Sequence, residues 1–235
     1  MRRVEEMGIP NRVLAALPRK NYQRIAADLE PVSLVFGQDL YKAGDTIRQV
    51  YFPNDCVVSM INMVGPDQGA EVGLVGNEGM VGIPIALGVN FSPLRAVVQG
   101  TGTAMRMSAP LFRRAVNQDA ALQRELFRFT HLMMSQVAQT AACNQFHSVN
   151  QRLARWLLMT RDRVKLNEFR LTQEFLAKML GVQRSAVNIA ASGLQRLGCI
   201  SYSRGVIVIL DQRRLQTAAC GCYGSVKKLY EQAYT

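Results

Sequence analysis

The chain has 235 residues, 49% apolar and 19% charged, enough for two modest domains that each bury a core. No apolar run reaches the roughly 18 residues that cross a bilayer, and the opening MRRVEEMGIPNRVL lacks the apolar stretch of a secretory signal, so a cytoplasmic, membrane-free protein is expected. The net charge of +11 is lopsided: residues 1–110 carry 10 basic and 10 acidic side chains, residues 111–235 carry 18 and 7, which suggests that only the second half meets a polyanion.

In chain order, residues 11–28 predict a small helical preface, with Val13, Leu14, Leu17, Tyr22 and Ile25, followed by Leu29, at helical spacing. The segments VYFPNDCVVSMINMV, GAEVGLVG and RAVVQGTGTAMRM are then short, rich in β-branched residues and separated by turn formers, the pattern of an all-β roll or barrel. All eight prolines lie at or before Pro110 and no glycine occurs from 103 to 180, so the strand-rich part gives way to helix near Pro110. From Asp119 onward, Leu122, Leu126, Phe129 and Met133 recur three and four residues apart along one long helix. That stripe predicts either packing on the helix's own domain or a dimer seam.

The stretch LTQEFLAKMLGVQRSAVNIAASGLQRLGCI reads as two helices about a tight turn. Thr172 is the expected N-cap, Phe175, Leu176, Met179 and Leu180 the inward stripe, Gly181 the stop, and Val182 a buried spacer. The second helix, about Gln183 to Leu197, places Val187, Ala190, Ala191, Leu194 and Leu197 on one face and Ser185, Asn188 and Ser192 opposite, with Arg184 and Gln195 at a flank. A helix entering a major groove needs this pattern, because Arg pairs with guanine and Asn or Gln with adenine through two hydrogen bonds each. Next, ISYSRGVIVIL predicts a two-stranded wing whose tip, Arg204, is placed to touch phosphate or the minor groove. The expected DNA contacts are Thr172, Gln173, Gln183, Arg184, Ser185, Asn188, Ser192 and Arg204.

With these residues in view, the sequence resembles the Crp/Fnr superfamily of bacterial regulators over nearly its full length, most specifically in LTQEFLAKMLGVQRSAV and the ISYSRGVIVI hairpin. The resemblance implies an α+β fold. Residues 1–117 would be a double-stranded β-helix (jelly-roll) sensor resembling cyclic-nucleotide-binding domains, 118–147 a dimerisation helix, and 148–235 a winged helix-turn-helix with a C-terminal helix. It also implies a homodimer on double-stranded, palindromic DNA, with RNA polymerase as a protein partner. Ser185 and Ile189 stand where family members often have Glu and Arg, so their operators do not transfer. In GMVGIPIALGVNFSPLRAVV, Gly82 and Arg95 match the family's phosphate-binding stretch, but Ile83 replaces the ribose-binding Glu and Ala96 the hydroxyl residue beside the Arg. Cyclic AMP is therefore not expected, and any effector is a different one.

No cofactor is expected either. Cys56 is the only cysteine before residue 143, too few for an iron–sulfur cluster there, and the roll holds no histidine for haem. The lone Cys220-x-Cys222 pair has only His131 and His147 in the whole chain, so a zinc site would have to be assembled from scattered residues, and no metal is expected. Glu71 and Glu78 read as turn and surface residues, and with no Ser/His/Asp order and no phosphate-cradling loop followed by Lys, an enzyme is not expected. A ligand-sensing module acting through partner proteins is the alternative function.

Overall fold

A computed structural model describes residues 8–65 and 68–234. The chain divides into two compact units: Met1–Met60, Leu74–Met134 and Tyr230–Thr235 form the first, Ile61–Gly73 and Ser135–Leu229 the second. The expected linear borders near 117 and 147 do not coincide with these units, since one long helix contributes to both.

The first unit opens with the helical preface as two short helices, α1 (Arg12–Ala15) and α2 (Arg19–Ala26). Asn11 caps α1, its Oδ1 accepting from the Leu14 N–H at 3.2 Å, while its Nδ2 donates to the carbonyls of Pro53 (2.8 Å) and Gly79 (2.9 Å). A fully buried amide is tolerable because donor and acceptor are both used. The strands follow as β1 (Glu30–Leu34), β2 (Asp39–Tyr41), β3 (Gln49–Pro53), β4 (Val57–Met63), β5 (Gly69–Val75), β6 (Leu94–Gly100) and β7 (Gly102–Ser108). They form two sheets, β1-β7-β3 and β2-β6-β4-β5. The first strand pairs with the last and the second with the last but one, the nested order of a roll. Register places Glu30 opposite Arg106, where they form an ion pair of 2.8 Å.

Helix α3 (Ala109–Gln118) starts with Pro110 in its first turn, and its Phe112 packs edge-on against Phe52 with ring centroids 6.0 Å apart. Asp119 then ends α3 and starts α4 (Ala120–Phe146), its Oδ1 accepting from the N–H groups of Ala121 (3.0 Å) and Leu122 (3.1 Å).

In the second unit, α5 (Val149–Val164) begins at a capping box of Ser148 and Gln151. Its buried face, Leu153, Ala154, Trp156, Leu157 and Leu158, is the centre around which α6 (Gln173–Leu180), α7 (Arg184–Arg196) and α8 (Gln212–Ala218) pack. Trp156 stands edge-on to Phe175 at 6.4 Å and donates from Nε1 to Glu71 at 2.9 Å. Glu71 and Glu78 are therefore not surface residues: both are buried, and Glu78 accepts from the Gly76 N–H at 3.2 Å. The wing is three-stranded, β8-β10-β9, from β8 (Glu168–Arg170), β9 (Ile200–Ser203) and β10 (Val206–Ile209). The last helix is α9 (Cys222–Ala233).

Candidate nucleic-acid interface

The helix-turn-helix is built by local rules. Thr172 caps α6, its hydroxyl accepting from the Phe175 N–H at 3.1 Å. Gly181 ends the helix at φ 61°, where a Cβ would lie 3.1 Å from that of Ala70, so the left-handed stop and the close approach both favour glycine. Helix α7 then buries Val187, Ala190, Ala191 and Leu194 and exposes Gln183, Arg184, Ser185 and Asn188, as the periodicity requires. Two expectations are corrected. Leu197 lies outside the buried face, 59% exposed, because α7 ends at Arg196 and the chain turns there through Gly198 at φ 66°. Val182 is half-buried rather than buried. Ser192, expected as a contact, is half-buried.

Gln173, at the start of α6, joins the two helices. Its Oε1 accepts from Arg184 Nε at 3.2 Å and its Nε2 donates to Asn188 Oδ1 at 3.2 Å. Because Arg184 is held through Nε, its two terminal nitrogens remain the ones suited to a paired contact with guanine. The wing is clamped beside them: the Tyr202 N–H donates to Gln195 Oε1 and its hydroxyl to the Leu171 carbonyl, each at 2.8 Å. Burial pushes the Tyr202 phenol above its ordinary pKa, against the opposing pull of the Arg184 guanidinium. Arg204 and Gly205 form the two-residue wing turn at φ 49° and 77°. Thr172, Gln173, Arg184, Tyr202, Arg204 and Gly205 thereby line one open recess of about 540 Å³.

Sequence reasoning passed over Ile189 as a contact residue. It is 67% exposed beside Asn188, and an apolar side chain there is suited to a thymine methyl group. An isoleucine on the polar side of α7 was the available signal.

The seam candidates are corrected. Leu122, Leu126 and Phe129 are buried inside the first unit, and the Phe129 ring fills the space beside Gly79, whose added Cβ would meet it at 2.1 Å. Met133 is half-buried. The exposed large apolar side chains of α4 are instead Phe127 (54%) and Met134 (68%), one heptad apart, and Phe146 (80%) at its end. In the roll, Gly82 opens a 3-10 helix, Ile83–Leu87, at φ 100°, with Val50 Cγ1 2.9 Å from where a Cβ would lie. The turn alone thus requires glycine. Arg95 Nε bonds Asp39 Oδ1 at 2.6 Å, so an incoming phosphate would compete with that carboxylate. Four potential metal donors scattered in sequence, Cys143, His147, Cys220 and Cys222, converge within the second unit.

Residues 151–218 match the family model of the Crp-like helix-turn-helix domain. Among solved structures, a regulator assigned to the Crp/Fnr family from Eubacterium rectale has TM-score 0.68 and 18% identity, covering 86% of this chain and 94% of its own. FixK2 from Bradyrhizobium japonicum has TM-score 0.67 and 15% identity, with coverages of 82% and 98%. The c-di-GMP-responsive regulator CLP of Xanthomonas campestris has TM-score 0.66 and 16% identity, with coverages of 83% and 100%. No curated protein matches the chain at a significant level. The fold is thus similar to that of solved Crp/Fnr-type regulators, and residues 151–218 match a Crp-like helix-turn-helix domain.

Proposed function

We propose that the protein is a sequence-specific regulator of transcription that binds a palindromic operator as a homodimer. The observation that carries this reading is the open face on which Arg184, Gln173, Asn188 and Arg204 come together. Two of these side chains discriminate bases and one reaches backbone, with rigid helix and wing behind them. Dimerisation fits the face of α4 marked by Phe127 and Met134, which the chain leaves exposed. A cytoplasmic location and a contact with RNA polymerase follow from the regulatory role.

The roll serves as the sensor. Its effector differs from cyclic AMP, because Ile83 and Ala96 supply neither the ribose acceptor nor the phosphate donor, and Arg95 is paired with Asp39. Fluorescence anisotropy with Arg184→Ala tests the reading. Loss of one two-bond base contact costs about 1–3 kcal/mol per half-site, so affinity for the operator falls while affinity for random DNA holds. Unchanged affinity and unchanged base preference would refute the assignment of α7 as the reading helix.

A further inference from the structure

Three of the five cysteines, Cys143, Cys220 and Cys222, form a buried cluster of their own, and His147 joins them. Helix α4 supplies Cys143, and His147 lies four residues on, its N–H donating to the Cys143 carbonyl at 3.1 Å, so both side chains leave the same face of the final turn. Cys220 lies in the link between α8 and α9 and Cys222 opens α9, more than 70 residues further along the chain.

From this convergence we infer a structural zinc site with Cys143, His147, Cys220 and Cys222 as its four ligands. Their donor atoms all lie within 4.8 Å of one another. Cys143 Sγ is 3.5 Å from Cys220 Sγ, and Cys222 Sγ is 3.6 Å from His147 Nδ1. Tetrahedral zinc, with metal–sulfur bonds near 2.3 Å and metal–nitrogen bonds near 2.0 Å, requires donor separations of roughly 3.5–3.8 Å, so little movement closes the site. Three thiolates and one imidazole select zinc over the harder divalent ions, and four protein ligands leave no open position for substrate. On loading, the three thiols each release a proton to solvent, the imidazole binds as the neutral base, and the complex carries a net charge of about −1.

The surroundings suit that charge. Arg155 is 7% exposed, bonds Thr140 at 3.1 Å through a terminal nitrogen, and exerts the largest attraction of any charge on Cys143. Its Nε has no hydrogen-bond partner among the described residues. An anionic zinc–thiolate centre would add countercharge beside this buried guanidinium. Gln139 Nε2 lies 3.0 Å from Cys222 Sγ, the position of an amide that orients a ligating thiolate. The metal would pin the end of α4 to the α8–α9 link, closing a long loop within the second unit.

The test is metal analysis of the full-length protein purified under reducing conditions from zinc-replete cells, without chelator. We expect one zinc per chain, retained by Cys199→Ser and lost from Cys222→Ser and His147→Ala. Cobalt added to reduced, zinc-stripped wild type should give the visible bands of a tetrahedral site with thiolate charge transfer. Should the variants fail to fold, a thiol-blocking mercurial added to wild type still reads the site by releasing the zinc, and stripping should lower the melting temperature by on the order of 10 °C. Metal-free protein that stays blank with cobalt would overturn the proposal. So would metal-free protein with only three free thiols of the five after denaturation, which would make the cluster a disulfide pair. None of these readouts involves DNA, so they stand whether or not the operator reading does.

Discussion

Arg204 is one of two non-glycine residues at positive φ among the described residues, and it sits at the tip of the wing. Ser203 pairs with Val206, leaving Arg204 and Gly205, at 49° and 77°, as the two central residues of a turn with both φ angles positive. Asn-Gly is the favoured pair for that turn, and an arginine in the left-handed region costs about 1–2 kcal/mol. Arg204→Asn should therefore stabilise the wing by up to about 1 kcal/mol, raising the melting temperature by roughly 2–4 °C. On the proposed reading, the same change removes one phosphate contact per wing, two per dimer. With a salt slope of about 0.9 per neutralised phosphate, the logarithmic slope should fall by about 1.8, and binding at physiological salt should weaken on the order of tenfold. Calorimetric melting, with anisotropy titrations at four salt concentrations on operator and scrambled DNA, reads both effects. Stability and affinity should move in opposite directions, and the affinity loss should be equal on both sequences. A variant with the wild-type salt slope, or one that loses affinity on the operator alone, would refute backbone contact by Arg204.

Phe127→Glu combined with Met134→Glu should give folded monomers by sedimentation, whereas Leu126→Glu should unfold the first unit, because Leu126 is fully buried; a double variant that remains dimeric would place the seam elsewhere. Gly181→Ala should cost about 1–2 kcal/mol in denaturant unfolding, since the residue must keep φ 61° against Ala70; an unchanged midpoint would contradict that. Thr172→Ala should lose about 1 kcal/mol through the missing cap of α6, and Thr172→Asp should restore it. Calorimetry should detect no micromolar binding of cyclic AMP; tight binding would show that Arg95 leaves Asp39 for a phosphate.

Helices α6 and α7 and their turn were legible because local chemistry fixes them: Thr172 caps, Gly181 stops, and an apolar stripe every three or four residues buries one side of α7. Leu197 escaped the stripe only because the helix ended before it. Strand β8 is three residues long and is held by its pairing with β10, which a local pattern does not register. On α4 the stripe was legible but what covers it was not. Leu122, Leu126 and Phe129 are the more apolar face and are taken by the chain's own first unit, leaving the mixed face of Phe127 and Met134 outside. Periodicity gives a face and not what covers it. The cysteine cluster was hidden because its two pairs, Cys143 with His147 and Cys220 with Cys222, lie more than 70 residues apart in sequence.

Selection of genomic fragments by the purified protein decides whether it reads the bases of a two-fold operator. Recovered fragments should share an inverted repeat with half-sites roughly 10 base pairs apart, centre to centre. The same selection with Arg184→Ala should relax one base pair in each half-site. Fragments enriched only by length or charge, with no shared motif, or a motif identical for both proteins, would contradict the account.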